Sequence, residues 1–564
     1  MRNNKRGILL LLCFGLICAV GAADSPIRTP AERCGFTAYS QYEDVGIFLS
    51  RLDAAADRMT LRVVGRTLPG RNYGAKDLYL VILSANGAFS PATLDRSKPT
   101  VYFVAAKHGN EQSAKESVLQ LIRDLAVGDL RSLLDTVNVL VLPQPNPYGN
   151  QFGQRRNEQD LDLNRDQVKL ESPESETINR VFAEWMPEVT MDIHEKGDDY
   201  YRVSIGCVSN ANIHADLQTF SRKTILKEVE TGLRSKRITF QEYLITQQMG
   251  IDSSAGVTYR PEESAGGQLM KRYSTSDLND GRNSPGIYET LSFIQEGASR
   301  HDLETLKDRT RWQYFGIRYF VESTARHAAE ILDLVRFRRA SLLEKAKTYS
   351  ENDTVHLRMK YARDTGEPTR MIRKFVRSES PVRGVLKVDK KAGETLTAAD
   401  LLPYRGNPEV RVEEELVKNW FPLVEPTVSV PRPLGYIIPG GLQMVVETLL
   451  KHGVTLQVLT EDVSVEAEVY RVTAIEPAEY DYLPPSSISV EKEERTLLAK
   501  RGDYYVSCVQ PAANLIPCLL EPETQYGFIR YQALQLVPEA GDFFPVIRII
   551  RRQKMECVPY RNWR

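Results

Sequence analysis

Along its N-terminal half the chain alternates between two hydrophobic periods. Tyr42–Ala54 (YEDVGIFLSRLDA), Glu111–Leu125 and Thr177–Trp185 carry apolar positions at helical spacing. Between them lie short apolar or β-branched runs: Leu61–Val64, Leu78–Leu83 (LYLVIL), Thr100–Ala106 (TVYFVAA), Val137–Leu142 (VNVLVL), Val189–Ile193 (VTMDI) and Gly286–Phe293 (GIYETLSF). Runs that are apolar at every position read as strands buried on both faces. Strands alternating with helices predict an α/β fold, a mainly parallel mixed sheet flanked by helices. In such sheets functional side chains collect at the carboxyl ends of the strands. Charged helical sequence from His301 to about Tyr349 closes this unit.

From about Ser350 the pattern changes to Pro-bearing loops and short β-rich runs, such as Gly384–Val388, Thr455–Leu459, Val469–Val472 and Tyr504–Val509. The predicted organisation is a leader over 1–23, a catalytic-type unit over 34–349, a linker over 350–400 and a mostly β domain over 401–564, read as a sandwich packed on the first unit. The leader has Arg2, Lys5 and Arg6, an apolar stretch from Gly7 to about Gly21, and small residues at Gly21, Ala22 and Ala23. That is the layout of a secretory signal peptide, so the mature protein is expected to be exported, periplasmic or extracellular, with no stable membrane span after cleavage.

Charge narrows the possible partners. Lys plus Arg (73) nearly cancels Asp plus Glu (74), so no bulk field draws nucleic acid or an anionic membrane. Of seven cysteines, Cys13 and Cys18 fall in the leader, leaving Cys34, Cys207, Cys508, Cys518 and Cys557. Cys508 and Cys518 are the nearest pair for a disulfide, and the absence of any CxxC argues against a thiolate metal site.

Seven histidines remain to be placed. HxxE occurs at His108–Glu111, His301–Glu304 and His327–Glu330, and the last two lie in charged helical sequence, where such pairs are ordinary surface neighbours. His108 instead follows the buried strand TVYFVAA directly, in the loop KHGNE. His194 likewise ends the strand VTMDI. His214, His356 and His452 lack that context. Two strand-end histidines with one glutamate make a His₂Glu set, which holds one Zn²⁺ with a coordination position left open for chemistry.

Between these ligands lies PQPNPYGNQFGQRRNEQDLDLNRD, from Pro143 to Asp166. Together with its flanks it resembles the zinc metallocarboxypeptidase family typified by pancreatic carboxypeptidase A. The matching motifs occur in order: VGRTLPGR ending at Arg71, His108–Glu111, Asn146-Pro147-Tyr148-Gly149, Arg155-Arg156-Asn157, Asp162-Leu163-Asn164-Arg165, His194 and Glu289. The resemblance spans about Phe36 to Thr324.

It implies a carboxypeptidase A-like fold of the phosphorylase/hydrolase type and a zinc-dependent carboxypeptidase acting on peptides or cell-wall peptide stems. His108, Glu111 and His194 would hold the metal and Glu289 would be the catalytic base. Arg155, with Arg156 as its alternative, would stabilise the developing oxyanion. Asn164 and Arg165 would grip the free terminal carboxylate, with Asp166 a partner to either. Tyr148 stands where relatives carry Asp. Tyr259 and Tyr273 both qualify as the family's mobile tyrosine, and Arg282 as a reader of an acidic terminal side chain. Two other readings stay open: a deacylase or amidohydrolase on the same fold, and a non-catalytic binding protein on a peptidase scaffold.

Overall fold

A computed structural model describes residues 27–560, apart from 198–200, 244, 248–250, 253–256, 259–268, 272–275, 300, 363, 365–368, 378–409, 418–419 and 476–487. The leader, Tyr259, Tyr273 and the expected strand Gly384–Val388 lie outside the described residues.

Eight strands form the first sheet: β1 (Met59–Arg66), β2 (Asp77–Leu83), β3 (Thr100–Ala105), β4 (Asn138–Leu142), β5 (Val189–Gly197), β6 (Val203–Cys207), β7 (Phe240–Glu242) and β8 (Leu291–Ser299). Their order is β1-β2-β4-β3-β5-β8-β6-β7. The central strands β4, β3, β5 and β8 run parallel, while β1, β2 and β6 join antiparallel partners. Every residue of β3, β4 and β8 is buried, as expected for apolar strands covered on both faces. This is the mixed, mainly parallel sheet that the periodicity predicts.

Local chemistry sets the flanking helices. Pro173–Trp185 starts on Ser172, whose Oγ accepts the Ser175 N–H at 3.1 Å, with Pro173 in the first turn where its missing N–H is harmless. It ends where Met186 turns left-handed (φ 44). The long charged stretch divides at His327 into helices Leu306–Arg326 and Ala328–Ala346.

One strand differs from its expected bounds. The run GIYETLSFIQEGAS enters the sheet at Leu291, not at Gly286, because Asn283–Gly286 form a helical turn and Glu289 adopts a left-handed backbone (φ 55) ahead of the strand. The strand register therefore begins at Leu291, opposite Val189.

The C-terminal part also departs from expectation. Residues 350–400, read as a linker, carry the strands Thr354–Ala362 and Thr369–Arg377, which pair with Leu423–Pro431 and Val410–Val417. Beyond them, instead of a sandwich, lies one antiparallel sheet, ordered Ile488–Ala499, Val463–Ile475, Ile547–Ile549, Gly435–Ile438, Tyr504–Ser507, Leu456–Leu459, Cys557–Tyr560. All five described cysteines are free thiols, so Cys508 and Cys518 form no disulfide.

This second sheet is joined to the first unit. A contiguous apolar core runs from Val45 to Val546 across both. Helix Gln443–Lys451 packs on Pro173–Trp185. At its end the buried His452 donates from Nε2 to the Val168 carbonyl at 2.7 Å, and the Tyr288 hydroxyl donates to the His452 carbonyl at 2.8 Å. Burial lowers the His452 pKa to about 4, from 6.5 when exposed. The unfolded chain thus takes up a proton at higher pH than the folded one. The stabilising contribution is complete above about 6.5 and is lost as pH falls toward 4. His452→Gln, which keeps an N–H for Val168, should flatten the acid-side loss of stability in denaturant titrations by up to about 3 kcal/mol. An unchanged pH slope would assign the acid sensitivity elsewhere.

Candidate active site

β3 stops at Ala105, and Ala106, left-handed at φ 56, turns Lys107 and His108 off the sheet edge. Gly109 follows because two loops meet here: a Cβ at this position would lie 1.9 Å from the Gly149 carbonyl carbon. Asn146 stitches the loops together. Its Nδ2 donates to the carbonyls of Lys107 (2.9 Å) and Arg155 (3.3 Å), and its Oδ1 accepts the Gly149 N–H at 2.8 Å. Glu111 sits at the start of helix Gln112–Ala126, and His194 lies on the adjacent strand β5.

These elements bring His108, Glu111 and His194 together, with one ligand atom from each within 4.8 Å of the others, all buried. His108 Nδ1 is 2.7 Å from Glu111 Oε1, His194 Nδ1 is 2.8 Å from Glu111 Oε2, and the two Nδ1 atoms are 3.0 Å apart. Each outer Nε2 meets a carboxylate, His108 at Asp162 Oδ1 (3.0 Å) and His194 at Asp192 Oδ2 (2.9 Å). A carboxylate on Nε2 keeps the proton outside and aims the Nδ1 lone pair inward, so this donor set fits a divalent cation. Burial opposes ionisation of Glu111, but His108 and His194 outweigh it and hold the carboxyl well below its usual range.

Behind His194 the chain commits a second buried charge. Lys107 Nζ donates to Asp192 Oδ2 at 2.9 Å, and both side chains are 2% exposed. Burial would raise Asp192; His194 and Lys107 outweigh it and bring it down to about 2. Gly281 lies against this carboxylate, since a Cβ there would come within 1.8 Å of Asp192 Oδ2.

Arg155 lies beside the His108–Glu111–His194 group. Its Nε donates to Asp162 Oδ2 at 2.8 Å, and Nη1 lies 3.2 Å from His108 Nδ1. Arg156 points away, bound to Asp160. Asn164 and Arg165 share the short turn Leu163–Arg165 directly after Asp162. Asn164 donates its backbone N–H to Asp162 Oδ1 at 2.9 Å, and its own Oδ1 is buried without a partner among the described residues. Asp166 serves neither Asn164 nor Arg165. Its oxygens accept the Glu171 and Ser172 N–H groups, both at 2.8 Å, which closes the next turn. Tyr148 packs its ring on Tyr73 and Phe152. Arg282 is fully buried, and its Nε donates to Asp280 Oδ1 at 2.9 Å. The other HxxE pairs are bland: His327 contacts Glu330 and Glu228, and His301 contacts Glu195.

Glu289 is the exception, and the expectation for it is corrected. It precedes β8, and its carboxylate accepts from the His214 N–H (3.1 Å) and from Asn514 Nδ2 (3.2 Å). The strand register instead sets Glu296 beside His194. Five residues of strand separate Leu291 from Glu296, about 17 Å, so Glu289 belongs to the opposite end of the sheet. Burial pushes Glu296 up to about 7, against the pull of His194, while Glu111 adds to the rise. The signal for Glu296 was a second glutamate in the same apolar run. Strand periodicity does not say where along that run the sheet edge falls. Asp192 and Lys107 were signalled only as charges at the ends of buried strands.

The family model for zinc carboxypeptidases matches residues 48–203. The chain is similar to carboxypeptidase 2 of Trichophyton tonsurans, 25% identical over 465 residues covering 80% of this chain and 77% of that one. Carboxypeptidase 2 of Trichophyton rubrum is likewise 25% identical, over 466 residues with the same coverage. A metallo-carboxypeptidase structure from Burkholderia cenocepacia aligns at 18% identity over 51% of this chain and 70% of that one, with a TM-score of 0.38. The chain is thus a metallopeptidase. Residues 48–203, which carry His108, Glu111 and His194, are the part that matches the zinc carboxypeptidase model.

Asp192→Asn should weaken zinc binding by about 10–100-fold in a chelator-competition titration, with the fold intact by circular dichroism. Unchanged affinity would mean that Asp192 does not orient His194.

Proposed function

We propose that this protein is an exported metallocarboxypeptidase that removes the C-terminal residue from peptides or peptide stems, with one zinc ion held by His108, Glu111 and His194. The observation that carries this reading is the register pairing of Glu296 with His194, which sets a carboxyl beside a buried His₂Glu group. Zinc in such a set polarises a carbonyl and acidifies water.

The protein's own groups account for the remaining steps. Glu296, with a pKa of about 7, is matched to taking a proton from water near neutral pH and handing it to the departing amine. Arg155 is 43% exposed at the mouth of the site and offers a fixed cation to the oxygen that gains charge. Asn164 and Arg165, on the next turn, are the candidates for the substrate's terminal carboxylate, which a guanidinium can hold through two parallel hydrogen bonds. Export is supported by the leader's charge and apolar pattern. Among the described residues no helix is long and apolar enough to cross a membrane.

Free-acid and C-terminally amidated peptides, followed by mass spectrometry, test the reading. Stepwise loss of the last residue is expected from free acids only. Glu296→Gln should lower kcat by about 10²–10⁴-fold, whereas Glu289→Gln should cost less than about tenfold. The reverse ranking would return the base to Glu289, and equal cleavage of amidated peptides would remove the carboxylate clamp.

A further inference from the structure

Two glutamates outside the metal group meet in the interior. Glu158 lies on the loop 153–162, which delivers Arg155 and Asp162 to His108, and the fully buried Glu174 opens helix Pro173–Trp185. One oxygen of each carboxyl is engaged. Glu158 Oε1 accepts the Leu68 N–H at 3.1 Å, and Glu174 Oε2 accepts from Asn157 Nδ2 at 3.1 Å. The other oxygen of each, Glu158 Oε2 and Glu174 Oε1, is buried with no donor among the described residues. Yet the two carboxyls lie within hydrogen-bonding reach of each other. Ionised carboxylates only accept, so these leftover oxygens satisfy one another only if one of them carries a proton.

Among the described residues no cation pairs with either carboxyl, because the charged groups on the surrounding elements are engaged elsewhere. On the same loop Arg155 is bound to Asp162 at 2.8 Å and Arg156 to Asp160 at 3.2 Å. On β1 Arg66 faces Asp77 at 3.7 Å, and in the turn 67–73 Arg71 is exposed to solvent. Along the helix Glu176 meets Lys451 at 3.2 Å and Arg180 meets Glu184 at 3.9 Å. Just before it Lys169 pairs with Glu171 at 2.6 Å, and Asp166 accepts the Glu171 and Ser172 N–H groups. Burial first, then the charge of Glu158, pushes Glu174 up to about 8, against the pull of its own backbone N–H and of Asn157.

The pair sits where three segments join. Asn157, which holds Glu174, also accepts the Gln159 and Leu161 N–H groups on its Oδ1 at 3.1 and 2.9 Å, so one side chain both shapes the loop and ties it to the helix. Glu158 secures the opposite side through Leu68. The turn 67–73 packs closely there, since a Cβ at Gly70 would come within 2.8 Å of Glu158 Cβ.

We propose that Glu158 and Glu174 share one proton and act as a positioning pair, locking the loop that bears Arg155 and Asp162 against helix Pro173–Trp185 and releasing it when the proton is lost to alkaline solution. Once ionised, two carboxylates stand side by side in the interior with no donor between them, and their repulsion falls on the partly buried Glu158 and its loop. The folded chain keeps a proton that the unfolded chain sheds near 4.5, so the stability it carries is complete below about 4.5 and is lost as pH rises through about 8. The bearing of the pair on catalysis rests on the role proposed above for Arg155.

Infrared difference spectra of the metal-loaded full chain between pH 6 and 10 read the proton directly. Loss of a protonated-carboxyl band is expected with a midpoint near 8, and Glu174→Gln should abolish it, which separates it from Glu289 and Glu296. Glu158→Gln should move the midpoint down by at least about one pH unit, since it removes the neighbouring charge and offers an N–H in its place. Hydrogen exchange reads the loop. The Asn157 and Leu161 amides, bonded to the Leu161 carbonyl and to Asn157 Oδ1, should lose protection at least about tenfold between pH 7 and 9 after correction for base-catalysed exchange. In Glu174→Gln, whose amide donates without titrating, that protection should hold. A midpoint left in place by Glu158→Gln, or loop protection that follows the same course in wild type and Glu174→Gln, overturns the proposal. Both readouts are taken without substrate, so their failure leaves the carboxypeptidase reading standing, and absence of peptide cleavage leaves the shared proton standing.

Discussion

Two imidazole nitrogens 3.0 Å apart, buried and facing one carboxylate, cannot both carry protons without strong repulsion. A divalent cation held between them would resolve this, with both lone pairs turned inward. Asp162 and Asp192 hold the outer nitrogens, so each ring keeps its proton on the far side. Those carboxylates need counter-charges of their own, which Arg155 and Lys107 supply at 2.8 and 2.9 Å. The charges form a layered shell around the pocket, cation behind carboxylate behind imidazole. Removing Lys107 or Asp192 leaves a buried charge uncompensated, and such losses are severe.

The strand edge makes this shell possible. β3, β5 and β8 run parallel side by side, so a loop residue after β3 and residues within β5 and β8 converge without long connections. Asn146 and Gly109 serve the same end by a different route. One supplies three hydrogen bonds between loops, and the other removes the side chain that would hold those loops apart. Arg155 and Asp162 are thereby brought to His108 from a segment about fifty residues downstream.

The C-terminal part is more than an appendage. Its core is continuous with that of the catalytic unit, and His452, Asn514 and Arg432 are buried at the junction. A buried neutral histidine at this junction makes it sensitive to acid, while the metal site lies at the other end of the sheet.

The sequence by itself determined the fold class and the association of His108, Glu111 and His194 with buried strands. These rest on local signals: apolar periodicity, turn residues and close spacing, which neighbours in the chain impose on one another. It did not determine which glutamate of the run GIYETLSFIQEGAS stands beside His194. A strand buried on both faces carries no mark of where it crosses the sheet edge, and only the register of β8 against β5 decides it. The strands within 350–400, the single C-terminal sheet and the Lys107–Asp192 pair were hidden for the same reason. Each depends on partners far away in sequence, and pairing at that distance is settled by tertiary packing.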